Sequence, residues 1–288
     1  MIRPALDVAA IYAAGLPSFV TAIDVVAETG STNADLLRSA AGGAPAGAVL
    51  VADWQHAGRG RFERSWISPP RAGLTFSMLL RPARVPPERL GWLPLLTGLA
   101  LRSAVRSLVD EPAAVTLKWP NDLLVRDAKA AGVLVEVGDG AVVVGMGINV
   151  SHELAELPGP QATSLALAFP HIMIDRSLLL AAVLREFDAR YHRWSAARGD
   201  VRAIGLDEEY RQACVTIGAG VEVRGVGGDF AGRAVDVDGG GGLLVDTEAA
   251  VGDRGDKAAD PSGRTVRRLV TAADVAHVRR RERGPGDL

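Results

Sequence analysis

The sequence lacks the residues needed for disulfide bonding or for insertion into a membrane. Its 288 residues include a single cysteine, Cys214, which excludes an internal disulfide and which we interpret as an inert thiol. The longest apolar run near the middle of the chain, at 93–101, is far shorter than the roughly 20 residues of a membrane-spanning helix. The N-terminus lacks the basic segment and apolar segment of a secretion signal. We therefore expect a cytoplasmic protein.

The chain also has no excess of either charge. Its 32 basic and 34 acidic side chains leave a formal charge of −2, so no bulk attraction to nucleic acid or to anionic lipid is expected. Lysine is scarce, because only Lys118, Lys129 and Lys257 are lysines. The first two lie close together, and an ammonium is more compact than a guanidinium. One interpretation is chance; the other is that these positions lie between two closely spaced anions.

Hydrophobic periodicity predicts a short extension, two folded units and a tail. Residues 1–21 have room for one short helix at most. Residues 22–215 alternate between strands and helices, and consecutive strands with short loops favour antiparallel pairing. Residues 216–280 are rich in valine and glycine and predict a small β-barrel, followed by a tail at 281–288. The expected fold class is α+β, with a mixed, largely antiparallel sheet packed against helices and a small C-terminal barrel.

Apolar alternation and turn residues predict the individual elements. The strands of the larger unit are expected at 23–27, 49–52, 74–80, 116–119, 122–125, 131–137 and 141–149. Its helices are expected to begin near Ser31 and to lie at 93–109, 175–197 and 207–214. The barrel strands are expected at 221–224, 230–237, 243–247, 264–269 and 275–279, with a polar loop at 248–263.

A loop with alternating glycine and arginine is the most informative motif. It comprises Gly58, Arg59, Gly60 and Arg61, with Gln55 before it and Arg64 and Trp66 after it. Glycine lets a backbone approach a ligand closely, and a guanidinium is a planar fork of donors that matches phosphate or carboxylate oxygens. A solvated turn is the alternative, but such turns usually contain serine or aspartate. We interpret the loop as a phosphate-binding element.

Three further motifs have chemistry that fits the same site. They are Ser31-Thr32-Asn33 at a helix start, Lys118-Trp119-Pro120-Asn121-Asp122 with Lys129-Ala130-Ala131-Gly132 following it, and Gly145-Met146-Gly147-Ile148-Asn149 in a strand. Taken singly, the first is typical of a helix cap and the lysines are typical of protected strand edges. The dinucleotide fingerprint and the G-x-x-x-x-G-K-S/T loop are both absent. Because the four motifs fit one site better than four unrelated roles, we expect them to meet in space.

In this order, the four motifs closely resemble those of the biotin protein ligase family. The resemblance covers about residues 22–214 through motifs and reaches the C-terminal unit only through order and composition. It implies a fold like that of the class II synthetases and biotin ligases with an SH3-like C-terminal barrel. It also implies an adenylating enzyme that joins biotin to ATP, releases pyrophosphate, and transfers biotin from biotinyl-AMP to a lysine of a biotin carboxyl carrier protein.

The resemblance also implies roles for individual residues. Biotin would be bound by Ser31, Thr32, Asn33, Gln55, Gly58, Arg59, Gly60, Arg61, Lys129, Gly132 and Gly145. ATP would be bound by Arg59, Arg61, Arg64, Trp66, Lys118, Asn121, Asp122 and Asn149. The implied catalytic groups are Lys129, Arg59 and Arg61, since cations offset the repulsion between a carboxylate and a triphosphate. Mg²⁺ would lie near the Lys-Trp-Pro-Asn-Asp motif, and its ligands stay open.

The sequence departs from the family pattern at two positions: Glu63 replaces a common glycine after the arginine loop, and Ala130 replaces a common leucine. Two other functions remain as alternatives. A lipoate-type ligase uses the same adenylation chemistry but would lack the Gly-Arg-Gly-Arg loop. A biotin-sensing repressor would need a winged helix, and the 21 residues before the core are too few for one.

Overall fold

The computed structural model describes residues 3–225, 228–248, 265–271 and 273–277. The helices are α1 (Val8–Ala13), α2 (Thr32–Ala41), α3 (Leu93–Arg106), α4 (Leu165–Ala168), α5 (Arg176–Ala196) and α6 (Leu206–Ala213). The strands are β1 (Ala22–Val26), β2 (Ala48–Ala52), β3 (Gly73–Leu80), β4 (Val115–Lys118), β5 (Asp122–Val125), β6 (Ala128–Gly138), β7 (Ala141–Asn149), β8 (Gly220–Arg224), β9 (Phe230–Val237), β10 (Leu243–Glu248), β11 (Thr265–Val270) and β12 (Asp274–His277). None of the described helices is both long enough and apolar enough to cross a membrane.

The first seven strands form one sheet in the order β1-β2-β3-β7-β6-β5-β4. The pairing of β1 with β2 is parallel, and every other neighbouring pair in this sheet is antiparallel. The antiparallel run from β4 to β7 follows from the short turns between its strands, which leave no length for a crossover. The predicted α+β class with a mixed, largely antiparallel sheet is therefore confirmed.

Helices cover both faces of this sheet. On one face, α3 and α5 pack together and bury the main core, which includes Phe76, Met78 and Val144. On the other face, α2 packs against β3 and β7 and buries a smaller core around Leu79 and Val143. Alternate residues of each strand therefore face different layers, as a period of two requires.

The element predictions agree with the structure to within a few residues at most ends. The predicted helix at 93–109 ends earlier, at Arg106 in α3, and the predicted strand at 131–137 is longer, because β6 begins at Ala128. Asp175 is the N-cap of α5, and its carboxylate accepts from the backbone N–H of Ser177 and Leu178. The four-residue α4 was not predicted. The barrel-strand residues 264, 278 and 279, most of the loop at 248–263 and the tail at 281–288 lie outside the described residues.

The C-terminal strands form a second sheet in the order β11-β10-β9-β8-β12, antiparallel throughout. Two tryptophans of the large unit donate to a turn between β9 and β10: Trp92 Nε1 donates to the carbonyl of Asp238 at 2.8 Å, and Trp119 Nε1 to that of Gly241 at 3.0 Å. Thr216, which lies between α6 and β8, adds a further contact, because its hydroxyl accepts from the backbone N–H of Trp119 at 3.1 Å. The exact boundaries at 21, 215 and 280 stay predictions.

Candidate active site

One cavity of about 690 Å³ collects nearly all of the predicted site residues. It lies against the α2 face of the large sheet and extends to the C-terminal sheet, which contributes Arg224, Val275 and Ala276 to its lining. The predicted residues that line it are Ser31, Thr32, Asn33, Gln55, Arg59, Gly60, Arg61, Arg64, Trp66, Lys118, Asn121, Asp122, Lys129, Gly132, Gly145 and Asn149. The four sequence motifs therefore meet in space, as their shared chemistry predicts.

The floor of the cavity is made of glycines on alternate positions of two strands. Gly145 and Gly147 of β7 point toward the cavity because their neighbours Val144 and Met146 belong to the main core on the opposite face. A Cβ at Gly145 would lie 2.0 Å from Asn33 Oδ1, and a Cβ at Gly147 would lie 2.4 Å from the Trp66 ring. Side chains that line the site therefore lie directly on the strand backbone, which only glycine permits.

Buried polar contacts join the start of α2 to the neighbouring strands. Ser31 caps α2, and both the backbone N–H and the hydroxyl of Thr32 contact Gln55 Oε1, at 2.8 and 2.9 Å. Thr32 Oγ1 also lies 2.6 Å from Ser77 Oγ, which donates to Asn33 Oδ1 at 2.6 Å. The hydrogen-bond partners of the Asn33 amide determine its orientation. The resulting fixed set of donors and acceptors suits a small polar ring group.

The arginine loop folds back on itself and holds its side chains over the cavity. The N–H of Trp66 donates to the carbonyl of Gly58 at 2.9 Å, and a Cβ at Gly58 would lie 2.4 Å from the Trp66 carbonyl oxygen. Gly58 does not line the cavity; it closes the base of the loop instead. At the tip, Phe62 and Glu63 have φ of 53° and 58°. Glu63 therefore takes the left-handed conformation that glycine adopts without strain.

A β-bulge places Lys129 on the cavity face. Leu123 pairs with Ala131, but the next residue, Leu124, pairs with Lys129, so Ala130 is the extra residue of the bulge. The shift moves Lys129 to the same face as Gly132, and buries Ala130 in the main core. Lys129 Nζ lies 2.6 Å from Asp122 Oδ1 and 5.8 Å from the centre of the Trp66 ring.

Arg61 joins the loop to both sheets. Its Nη1 donates to Asn121 Oδ1 and its Nη2 to the carbonyl of Ala273, both at 3.4 Å. Burial lowers the pKa of Arg61, and Arg64 lowers it further, while Asp122 raises it. The side chain stays charged, since a guanidinium pKa lies far above neutrality. A buried guanidinium is stable only beside anionic partners, and Asp122 is one such partner.

Asn149 and Asn121 are used by the protein to fix backbone near the cavity. Asn149 is buried and donates from Nδ2 to the carbonyl of Thr163 at 3.0 Å, and Asn121 donates to the carbonyl of Val133 at 2.8 Å. Backbone hydrogen bonds also join Lys129 to the segment before α4, through Gln161 and Thr163. These contacts hold the walls on both sides of Lys129 in place.

Several polar residues in or beside the candidate site were missing from the predicted set. Ser77 is a fully buried hydroxyl within the apolar strand β3, and Glu136 is a carboxylate on β6 that contacts Asn33 and Arg59. A polar residue between apolar neighbours of a strand was the sequence signal for both. Arg224 reaches the cavity from the C-terminal sheet. No sequence signal marks Arg224, since its position depends on how the two sheets pack.

The fold and this cavity are those of the class of ligases that activate vitamin-like acids. The family model described as the Biotin/lipoate A/B protein ligase family matches residues 25–152. The biotin–[acetyl-CoA-carboxylase] ligase of Mycobacterium tuberculosis is 41% identical over 286 residues, which cover 96% of this chain and 98% of that protein. The chain belongs to the biotin protein ligase family.

Two further comparisons agree with this assignment. The bifunctional ligase/repressor BirA of Bacillus subtilis is 33% identical over 238 residues, covering 79% of this chain and 69% of BirA. Among solved structures, the biotin protein ligase from Aquifex aeolicus in complex with biotin and ATP superposes with a TM-score of 0.70 at 27% identity. That match covers 90% of this chain and 99% of the Aquifex chain.

Proposed function

We propose that this chain uses ATP to convert biotin into biotinyl-AMP and then transfers biotin to a lysine of a biotin carboxyl carrier protein. Near-full-length similarity to the Mycobacterium tuberculosis ligase supports the activity. The single observation that carries the chemistry is the position of Lys129, which lies in one cavity with both loop arginines and is paired with Asp122. The predicted cytoplasmic location remains part of this proposal.

In the first step, a carboxylate oxygen of biotin attacks the α-phosphorus of ATP, and the bond to the β-phosphate breaks so that pyrophosphate leaves. Two anions must come into contact, and the role of Lys129 is to lie between them as a compact cation. Arg59 and Arg61 stabilise the charge that builds on the phosphoryl oxygens. Ser31, Thr32, Asn33 and Gln55 hold the polar ring end of biotin, while Trp66 and Asn149 lie where the nucleotide base binds.

In the second step, the neutral amine of the acceptor lysine attacks the acyl carbon, the bond to AMP breaks, and AMP leaves. The amine loses a proton to solvent after the attack. Positioning of the two reacting groups supplies most of the rate, because a well-oriented pair reacts as though at very high concentration. The arginine loop keeps water away from the mixed anhydride by covering it.

Mg²⁺ suits this site as part of the nucleotide complex. The described residues contain no cluster of three or more His, Cys, Asp or Glu side chains that could cage a metal ion. Mg²⁺ usually binds through one or two carboxylates together with substrate phosphates. Asp122, with Asn121 beside it, would supply the protein oxygens, and the metal would neutralise charge on the leaving pyrophosphate.

Exchange of labelled pyrophosphate into ATP tests the first step directly. We expect exchange that depends on biotin and that lipoate does not support at equal concentration. The family description covers lipoate ligases as well, so the lipoate arm decides between the two acids. Exchange with lipoate and not with biotin would replace the proposed substrate, and exchange with neither would overturn the adenylation step.

Replacement of Lys129 tests its assigned role. We expect Lys129→Ala to lower the exchange rate by about a hundredfold to a thousandfold, the loss typical of one preorganised group in an acyl-transfer site. Lys129→Arg should also fail, because a planar guanidinium does not replace the compact ammonium that is needed between two anions. Arg126→Ala, which removes an ion pair with Glu111 outside the cavity, is the control with normal exchange. Exchange in Lys129→Ala at the wild-type rate would show that this ammonium is not needed.

A further inference from the structure

Glu136 links the arginine loop to the start of α2 beside the cavity floor. Its Oε2 accepts from Asn33 Nδ2 at 2.7 Å, and its Oε1 lies 3.0 Å from Arg59 Nη2. Arg59 and Glu136 are 77 residues apart in sequence. Within the described residues, this ion pair connects the side chain of Arg59 to strand β6.

The inner side of this link is rigid. Ser77 donates to Asn33 Oδ1, so the other end of the amide, Nδ2, must point at Glu136. Asn33 has no room to withdraw, because it lies directly on the backbone of Gly145. The carboxylate of Glu136 is therefore held by a group that is itself fixed by a buried network.

The outer side of the link belongs to the exposed loop. The side chain of Arg59 is 47% exposed and that of Glu136 is 24% exposed. Arg61 also contacts groups outside the loop, Asn121 and the Ala273 carbonyl. Around Arg59 itself the further contacts are internal: Arg59 pairs with Ser65, and Gly60 N–H donates to the Arg64 carbonyl. Arg61 therefore anchors one end of the loop, and the Arg59–Glu136 pair fixes the height of the Arg59 end above the strands.

The geometry points to Glu136 as a positioning residue for the arginine loop. It sets Arg59 over the bound adenylate and joins loop closure to Asn33, the residue that we place against biotin. This inference rests on the proposed function. Glu136 touches no reacting atom, so its contribution is to how long the loop stays closed and how well Arg59 is aimed.

A simple charge argument predicts the opposite effect. Removing a carboxylate that lies beside an anion-binding cavity should strengthen anion binding and slow the release of the adenylate. The Arg59–Glu136 contact should outweigh this effect. A charge-assisted guanidinium–carboxylate contact is directional and short, whereas the long-range field of a partly exposed charge is screened by water. The sign of the change therefore separates the two arguments.

Release of biotinyl-AMP is the measurement. The variant is Glu136→Gln, which keeps an oxygen to accept from Asn33 but loses the charge that holds Arg59. After dilution into excess unlabelled ligand, we expect the adenylate to leave roughly tenfold faster than from the wild type, the loss of about one charge-assisted hydrogen bond. With adenylate bound, we expect the wild-type protein to resist trypsin cleavage after Arg59, Arg61 and Arg64, and we expect the variant to be cleaved there.

A double-variant cycle gives the readout that a merely structural role would not move. Arg59→Ala removes a half-exposed side chain, so the variant should fold normally. If Glu136 acts through Arg59, adding Glu136→Gln to Arg59→Ala will not speed release further. Glu111→Gln is the matched control, since it removes the same charge from an ion pair with Arg126 of 2.7 Å outside the cavity, and it should leave release unchanged.

The outcomes separate this inference from the function beneath it. Wild-type protein that forms no adenylate would overturn both. If the wild-type protein forms the adenylate but Glu136→Gln releases it at an unchanged or slower rate, only the positioning role of Glu136 is overturned. Effects of the two substitutions that multiply independently would do the same, because they would place Glu136 outside the path to Arg59.

Discussion

At the scale of single residues, the segment after β7 contains a histidine that burial keeps neutral. His152 is 2% exposed, and its Nε2 lies 2.9 Å from Ser68 Oγ. Its backbone carbonyl accepts from the hydroxyl of Ser164 at 2.7 Å. Burial is the main reason that the pKa of His152 falls to about 4 from an ordinary value of 6.5; Glu156 raises this pKa and Arg3 lowers it. His152 thus links the segment after β7 to the chain before β3 as an uncharged group.

This depressed pKa predicts that the protein loses stability in mild acid. Between the native pKa near 4 and the unfolded pKa near 6.5, the unfolded chain binds the proton and the native protein does not. Stability is therefore complete above the unfolded pKa and falls as the pH drops toward the native one. The expected loss is about 2 kcal/mol between about pH 7.5 and about pH 5. Urea unfolding at the two pH values measures it.

His152→Gln isolates this contribution from other groups. Glutamine keeps a polar group near Ser68 but does not titrate, so the variant should lose about 2 kcal/mol less than the wild type between the same two pH values. Burial also lowers the pKa of His277, and that contribution has the same sign and stays in both proteins. Equal pH dependence in the two would mean that His152 is not neutral and buried in solution.

At the scale of elements, the glycine face of β7 shows how a strand becomes a binding floor. The Trp66 ring occupies the place where a side chain at Gly147 would stand, with a Cβ 2.4 Å from it. We predict that Gly147→Ala displaces the ring and weakens ATP binding roughly tenfold or more, since small displacements near a reacting group have large effects. Biotin binding should change little, because the Asn33 end of the floor is untouched. Equilibrium binding of each ligand, with tryptophan fluorescence, measures both.

Gly138→Ala is the matched control for this prediction. Gly138 lies at the end of the adjacent strand β6, and a Cβ there would meet Leu37 Cδ2 at 3.4 Å, an ordinary contact. That variant should bind ATP as the wild type does. If Gly147→Ala also bound ATP normally, Trp66 would not be held against β7 when the nucleotide is present.

The elements themselves were largely predictable from sequence, and the reason is local. Strands such as β5 and β7 consist largely of apolar residues and are bounded by turn residues, so their ends can be predicted from the local sequence. The four-residue α4 was missed because one turn of helix has no measurable periodicity. The bulge at Ala130 was missed as well, since a register shift depends on the partner strand, and no pattern within β6 marks it.

The site was predictable as a set of residues and not as a set of contacts. The motifs supplied residue types with an unusual chemistry, and the predicted site residues other than Gly58 line one cavity. Partners such as Ser77 and Glu136 depend on strand register, and the contact of Arg61 with the Ala273 carbonyl spans 212 residues. Such pairings are products of tertiary packing, which no local pattern specifies.

At the scale of the whole molecule, one tight turn between β9 and β10 connects the C-terminal sheet to the large unit beside the candidate site. The turn after β9 accepts the indole N–H groups of Trp92 and Trp119 through the carbonyls of Asp238 and Gly241. Within the turn, Asp238 Oδ1 accepts from the N–H of Gly242 at 2.7 Å. Because buried indole donors are costly to leave unpaired, the turn fixes the position of the C-terminal sheet against the large one. Arg61 then meets a wall that the second sheet supplies.

Gly241 and Gly239 of this turn give a matched test of that coupling. Gly241 has φ of 90°, and a Cβ there would lie 2.4 Å from the carbonyl oxygen of Gly91, whereas a Cβ at Gly239 would meet nothing within 4 Å. We expect Gly241→Ala to lower the free energy of unfolding by about 2 kcal/mol or more, from left-handed strain and the clash. Gly239→Ala should change it by less than about 0.5 kcal/mol. Denaturant unfolding measures both.

The same pair of variants asks whether docking of the second sheet matters for nucleotide binding. If the turn holds the wall that contacts Arg61, Gly241→Ala will also weaken ATP binding under conditions where the protein remains folded. Biotin affinity should fall less, since the Thr32 and Asn33 contacts lie within the large unit. Gly239→Ala should leave both affinities unchanged. Loss of stability in Gly241→Ala with ATP affinity intact would mean that the large sheet alone forms the nucleotide site, and that the second sheet only stabilises the fold.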